Sequence, residues 1–120
     1  IWAFVIMDTH IHLIWQILYP YTLPGVQRDM LKFISQTIKN RMVTNGQLNE
    51  LEPFRVNKCD RYYQLWKRKP LSIVILNDHV LNQKLNYIHT NLFRKGMDDV
   101  SYKYSSARFY ATGERNWDFL

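Results

Sequence analysis

His10 and His12 stand one residue apart inside an apolar run that extends from Ile6 to Trp15. Side chains in a strand alternate between its faces, so two residues at this spacing project from the same side. The alternation sends Ile11 the other way, into an expected core. Two imidazoles on one face make half of a metal site. Taken alone the pair also fits a satisfied core, so the rest of the chain must supply a further ligand and a reacting group. Tyr87 and Asn91 are four residues apart and are therefore neighbours on a helix surface. At about 100° per residue both lie at one edge of the apolar stripe of Leu81, Leu85, Ile88 and Leu92, with Gln83 one turn earlier on the same side. If the histidines face this edge, two imidazoles and the Asn91 amide oxygen can hold a divalent cation and leave positions open for phosphate oxygens. Tyr87 can then attack phosphorus through its phenolic oxygen, and the covalent phosphotyrosine conserves the bond energy for rejoining. Imidazole and amide donors with open positions suit manganese or magnesium.

The elements that must position these groups follow from the order of apolar and turn-forming residues. Residues 1–6 are apolar and rich in aromatic and β-branched types, Asp8 and Thr9 supply turn chemistry, and residues 10–18 are apolar again. This pattern predicts a β-hairpin with both histidines at the start of its second strand. Pro20, Pro24 and Gly25 mark a loop. Leu31, Ile34, Ile38 and Met42, flanked by Met30 and Phe33, fall at helical spacing and predict a helix over residues 26–43. The polar stretch from Asn45 and Gly46 to Pro53 reads as a loop. Residues 62–66 and 71–76 read as two strands on either side of Lys67, Arg68, Lys69 and Pro70. Asn77 or Asp78 can cap the next helix and Gly96 can end it. The tail carries Tyr102, Tyr104, Phe109, Tyr110 and Trp117, too aromatic for a disordered extension, so it is expected to pack on the domain.

At 120 residues and 47% hydrophobic, the chain has the size of one domain with its own core, spanning residues 1–120. Cys59 is the single cysteine, which excludes an internal disulfide and agrees with a reducing, cytoplasmic setting. Asp8, Thr9, His10 and His12 interrupt the first apolar segment, leaving no run near the ~20 residues of a membrane span. The net charge of +6 and a pI near 9.6 point to a polyanionic partner. Eight tyrosines add rings on which single-stranded bases can stack. Candidate phosphate contacts are Lys32 and Lys39 on the first helix, the cluster of Lys67, Arg68 and Lys69 beside Tyr63 and Trp66, and Lys84 ahead of Tyr87.

With these residues in view, the chain resembles the REP-associated tyrosine transposases, relatives of the single-tyrosine insertion-sequence transposases that carry a histidine-hydrophobic-histidine (HUH) motif. The likeness spans essentially the whole chain. It rests on Ala3-Phe4-Val5-Ile6-Met7 with His10-Ile11-His12-Leu13-Ile14-Trp15, on Val26-Gln27-Arg28-Asp29-Met30-Leu31-Lys32-Phe33 and on Gln64-Leu65-Trp66. Two downstream blocks complete it, Gln83-Lys84-Leu85-Asn86-Tyr87-Ile88-His89-Thr90-Asn91 and Tyr102-Lys103-Tyr104-Ser105-Ser106-Ala107-Arg108-Phe109-Tyr110.

The resemblance implies an α+β, ferredoxin-like (RRM-like) antiparallel sheet with helices packed on one face. The sheet would carry the histidines and a helix would deliver the tyrosine. It makes His10, His12 and Asn91 the metal ligands and Tyr87 the nucleophile, with magnesium or manganese as the metal. The substrates would be single-stranded DNA folded into imperfect hairpins, and the tyrosine would join the 5' phosphate and leave a 3' hydroxyl. Relatives carry a strand and helix ahead of the hairpin, so a first strand and helix are expected to be missing here. Asp8 and Thr9 stand where the family has proline and asparagine or aspartate, and Leu92 where it has proline. Leu31 and Ile34 replace a lysine and a threonine of its basic helix.

The leading expectation is a metal-dependent single-strand DNA endonuclease and strand transferase, monomeric or homodimeric, with no membrane association. The alternative is a catalytically inactive, hairpin-binding remnant of such a transposase. An RNA-binding ferredoxin-like module that reads strands by stacking leaves the histidine pair without a role.

Overall fold

Strands β1 (Ala3–Ile6) and β2 (Ile11–Ile14) form the expected antiparallel hairpin, with Val5 opposite His12 and Ile6 opposite Ile11. The computed structural model describes residues 1–67, 69–91 and 100–120. Arg68, Leu92 and Gly96, to which the sequence assigns a phosphate contact, a stripe position and a helix end, lie outside the described residues. The architecture is mixed α+β with two small antiparallel sheets. The chain divides into two compact units, residues 1–16 with 73–120, and residues 17–72.

In the first unit the outer edge of β1 is met by the segment around Ser105. Val5 bridges Ser105, the Ile6 N–H donates to the Tyr104 carbonyl at 2.9 Å, and the Ser106 N–H donates to the Phe4 carbonyl at 3.0 Å. Helix α3 (Asp78–Thr90) begins where the sequence places it, because the Asn77 side chain accepts a hydrogen bond from the Val80 N–H at 2.9 Å. Its stripe packs as the periodicity predicts: Ile88 is buried among Ala3, Val5, Met7 and Ile14, with Leu81 and Leu85 against them.

The cross-strand register settles which face of the hairpin is inside. Residues paired across an antiparallel ladder share a face, so His10, His12 and Ile14 lie on the side of Met7, Val5 and Ala3, beneath α3. Ile11 pairs with Ile6, which is exposed, and takes the opposite face. The expectation that Ile11 enters the core while the histidines face away from it is therefore corrected. Burying Ala3, Val5 and Met7 under one helix carries their partners with them. On the opposite face Phe4 meets Trp117 edge-on at 5.5 Å and Phe119 at the same centroid distance, so the aromatic tail packs as expected. The short helix α4 (Ala107–Thr112) ends at Gly113 in the left-handed conformation, φ 76°.

In the second unit helix α1 (Leu23–Thr44) starts earlier than the apolar spacing predicts. Pro24 fits the first turn, where its missing N–H costs nothing, and the Thr22 hydroxyl caps the Gly25 N–H at 3.4 Å, so part of the expected loop is helix. No residue of α1 is fully buried, and Phe33 on its widened stripe is 70% exposed. A helical turn α2 (Leu48–Leu51) and a 3-10 turn (Glu52–Phe54) replace the loop expected before Pro53 and bury Leu51.

The second hairpin is β3 (Arg55–Lys58) with β4 (Arg61–Tyr63). The strands expected at 62–66 and 71–76 are corrected accordingly. Only Tyr62 and Tyr63 of the former are in a ladder, and residues 71–76 are irregular, with Leu71, Val74 and Leu76 largely exposed. A β-branched run has no intrinsic reason to stay extended without a neighbouring strand to pack on. Lys67 and Lys69 consequently do not sit at a strand end. Trp66 itself is held by its indole N–H, which donates to the Leu31 carbonyl at 3.1 Å. No helix among the described residues is long and apolar enough to cross a membrane.

Candidate functional site

Three of the residues singled out by the sequence form a row of rings in the first unit. The His10 and His12 rings lie 5.0 Å apart with planes at 79°. The Tyr87 ring follows 5.6 Å from His12 at 82°, edge to face. Each placement has a local cause. The two-residue period of β2 puts both imidazoles under α3, and the burial of Ile88 in the sheet core fixes the helix rotation that brings its neighbour Tyr87 over His12. Tyr87 stays 43% exposed, so a substrate can approach it from solvent.

Asn91 follows the last residue of α3 and keeps helical backbone angles, φ −62° and ψ −26°. Its amide nitrogen donates to the Met7 sulfur at 3.6 Å. The Met7 N–H in turn donates to the His10 carbonyl at 2.9 Å, so Asn91 is tied to the residue directly across the ladder from His10. This bond engages the amide nitrogen and leaves the oxygen as a donor for a cation. Among the described residues no group of three or more His, Cys, Asp or Glu side chains converges, so a metal here would rest on the two imidazoles, the amide oxygen and oxygens brought by substrate or water. That donor set, with positions left open, fits a catalytic cation better than a closed structural one.

The electrostatics suit the same role. Burial, and then the neighbouring His10, hold the His12 pKa below its ordinary 6.5, which keeps it in the neutral form that binds metal. The Thr9 hydroxyl lies 3.0 Å from His10 Nδ1. That contact fixes the ring and leaves Nε2 as the nitrogen available to a ligand, an outer contact of the kind that orients metal-binding histidines. Sequence reasoning assigned Thr9 to the turn, gave Met7 no part in the site, and missed both contacts. Only the position of Thr9 directly before His10 hinted at its part.

The remaining predicted residues are placed as follows. Lys84 is half-buried and Gln83 exposed on α3, within one turn of Tyr87. Lys32 is exposed and Lys39 half-buried on α1, while Lys67 and Lys69 are exposed in the irregular segment after β4, all four in the second unit. A separate polar cluster, unseen in the sequence, joins His89 Nε2 to the Ser106 hydroxyl at 2.9 Å. Ser106 is fully buried and its hydroxyl also takes the Phe4 N–H at 3.0 Å, so the pair is a structural tie and not a nucleophilic dyad. Comparison of the chain with protein-family models, with curated proteins and with solved structures gives no match.

Proposed function

We propose that the chain is a metal-dependent single-stranded DNA endonuclease and strand transferase that acts on DNA hairpins in the manner of the REP-associated tyrosine transposases, on a ferredoxin-like sheet. The observation that carries this reading is the row of His10, His12 and Tyr87 rings, at 5.0 and 5.6 Å, with Asn91 tied to the strand beside His10. The net charge of +6 supports a phosphate-rich partner.

In this reading the Tyr87 oxygen attacks the phosphorus of a phosphodiester and gives up its proton to solvent. The P–O bond to the 3' oxygen breaks, that oxygen leaves as a 3' hydroxyl after taking a proton, and the 5' phosphate remains on Tyr87. Attack by a second 3' hydroxyl reverses the sequence and rejoins the strand without an external energy source. His10, His12 and Asn91 would hold a magnesium or manganese ion, which when bound polarises the phosphate and orients it for in-line attack. Thr9 and Met7 position His10 and Asn91.

The test is incubation of the protein with a labelled hairpin oligonucleotide in manganese, followed by denaturing electrophoresis. Wild-type protein is expected to give a covalent adduct, and Tyr87→Phe none. An adduct that persists in Tyr87→Phe would remove Tyr87 from the chemistry. Hairpin binding with no adduct under any divalent metal is the outcome that the inactive-remnant reading predicts.

A further inference from the structure

At the outer edge of β1 the first unit contains a cavity of about 380 Å³ walled by Tyr102, Trp117, Lys103, Arg108, Ser101 and Asn116. We propose that this cavity is a nucleotide subsite, which takes a phosphate on Lys103 and Arg108 and a planar base against Trp117. Among the described residues both cations enter it and no carboxylate lines it. Lys103 makes no ion pair among the described residues. Arg108 gives its Nε and one terminal nitrogen to a single oxygen of Glu114, at 2.8 and 2.7 Å, which leaves the other terminal nitrogen for an anion. Ser101 and Asn116 add a hydroxyl and an amide that can bond to the sugar or to a base edge.

The aromatic walls are preformed. Trp117 is wedged against Phe4 at 5.5 Å and Phe119 at 5.7 Å, and the Tyr102 hydroxyl is anchored to the Ile6 carbonyl at 2.9 Å. A fixed ring beside exposed cations is the combination that binds a base by stacking and its phosphate by charge. An acidic peptide would satisfy the cations and leave the indole without a planar partner. A cavity of this volume lies in the range of small-ligand sites. Ser105, which also lines the cavity, pairs with Val5, and Val5 pairs on its other side with His12. Two strand spacings, about 10 Å, therefore separate the backbones of Ser105 and His12. Trp117 lies on the Phe4 face of the hairpin and Tyr87 on the other, so a DNA strand that reaches Tyr87 would pass over the edge of β1 to seat a nucleotide here.

The shared chemistry is a nucleoside phosphate, and its source is either a unit of that DNA strand or a free mononucleotide. The first source rests on the proposed function, while the cavity's chemistry does not. The experiment measures binding of a labelled single-stranded hairpin oligonucleotide, and separately of dAMP and dTMP up to millimolar concentration, to wild type, Lys103→Glu and Ser101→Asp. Arg115→Glu, an exposed change of the same charge outside the cavity, is the control. Lys103 and Ser101 are exposed, so thermal melting is expected to show all variants folded.

Both cavity variants are expected to weaken oligonucleotide binding at least tenfold, Lys103→Glu with a salt slope smaller by about one, and Arg115→Glu to do much less. Mononucleotide binding that is lost in Lys103→Glu assigns a free nucleotide as a ligand as well. Oligonucleotide effects without mononucleotide binding assign the strand alone. Unchanged binding in both cavity variants, or an equal loss in Arg115→Glu, overturns the subsite. The manganese adduct assay on the same proteins separates the two ideas. A wild-type adduct with unaffected binding in the cavity variants rejects the subsite only, and lost binding without any adduct in wild type rejects the nuclease only.

Discussion

His12 is the residue at which the chemistry of the site is most directly measurable. Burial first, and the His10 ring second, depress its pKa below 6.5. In an NMR titration its midpoint is expected below 6.5, and His10→Ala is expected to return it only part of the way, because the burial contribution remains. A midpoint at or above 6.5 in wild type would contradict the packing of His12 under α3. The sign for stability follows from the same shift. The unfolded chain takes up the proton more readily, so the contribution of His12 is fully present above 6.5 and is lost as pH falls through the depressed folded value. Binding of the proposed metal is expected to survive to lower pH than it would at an ordinary histidine, for the same reason. The shared face of the two histidines was legible, because it needs only the period of a strand. That this face is the inner one was not legible, since Ile11 and Leu13 on the other side are equally apolar. The Thr9 contact to His10 also depends on a side-chain rotamer that no spacing rule fixes.

At the scale of elements, α3 is the part that makes a site out of separate residues. Ile88 keys the helix into the sheet core, and its neighbour Tyr87 inherits its position from that packing. Ile88→Ala is expected to lower stability by about 2–5 kcal/mol in denaturant unfolding. The adduct yield is expected to fall even under conditions where the variant remains folded. An unchanged yield would mean that something other than this contact positions Tyr87. The helix was well marked in the sequence by its Asn77 cap and its stripe of Leu81, Leu85 and Ile88, both local signals. The second hairpin was misplaced because its strands, Arg55–Lys58 and Arg61–Tyr63, are largely polar, while the β-branched residues at 71–76 suggested a strand that has no partner among the described residues. Strand propensity is realised only where a neighbour completes the ladder.

Across the whole molecule, the first unit is closed by contacts between its two ends in sequence. The Tyr110 hydroxyl donates to the Trp2 carbonyl at 2.7 Å, Trp117 covers Phe4, and the buried Ser106 hydroxyl accepts from the Phe4 N–H at 3.0 Å. Ser106→Ala removes the acceptor of a buried donor and is expected to cost about 1–3 kcal/mol in thermal or denaturant unfolding. A cost near zero would show that the residues around 106 do not hold β1 in place. By itself, the sequence determined the hairpin, the two long helices, the basic charge and the four candidate residues His10, His12, Tyr87 and Asn91. Each of these depends on periodicity, caps or composition, which act over a few residues. Only the tertiary structure decided that α3 lies on the histidine face, that Asn91 meets Met7, and that Lys103, Arg108 and Trp117 share a cavity. Those outcomes depend on which of several equally apolar surfaces is buried against which, and that choice is made by packing between segments up to about a hundred residues apart.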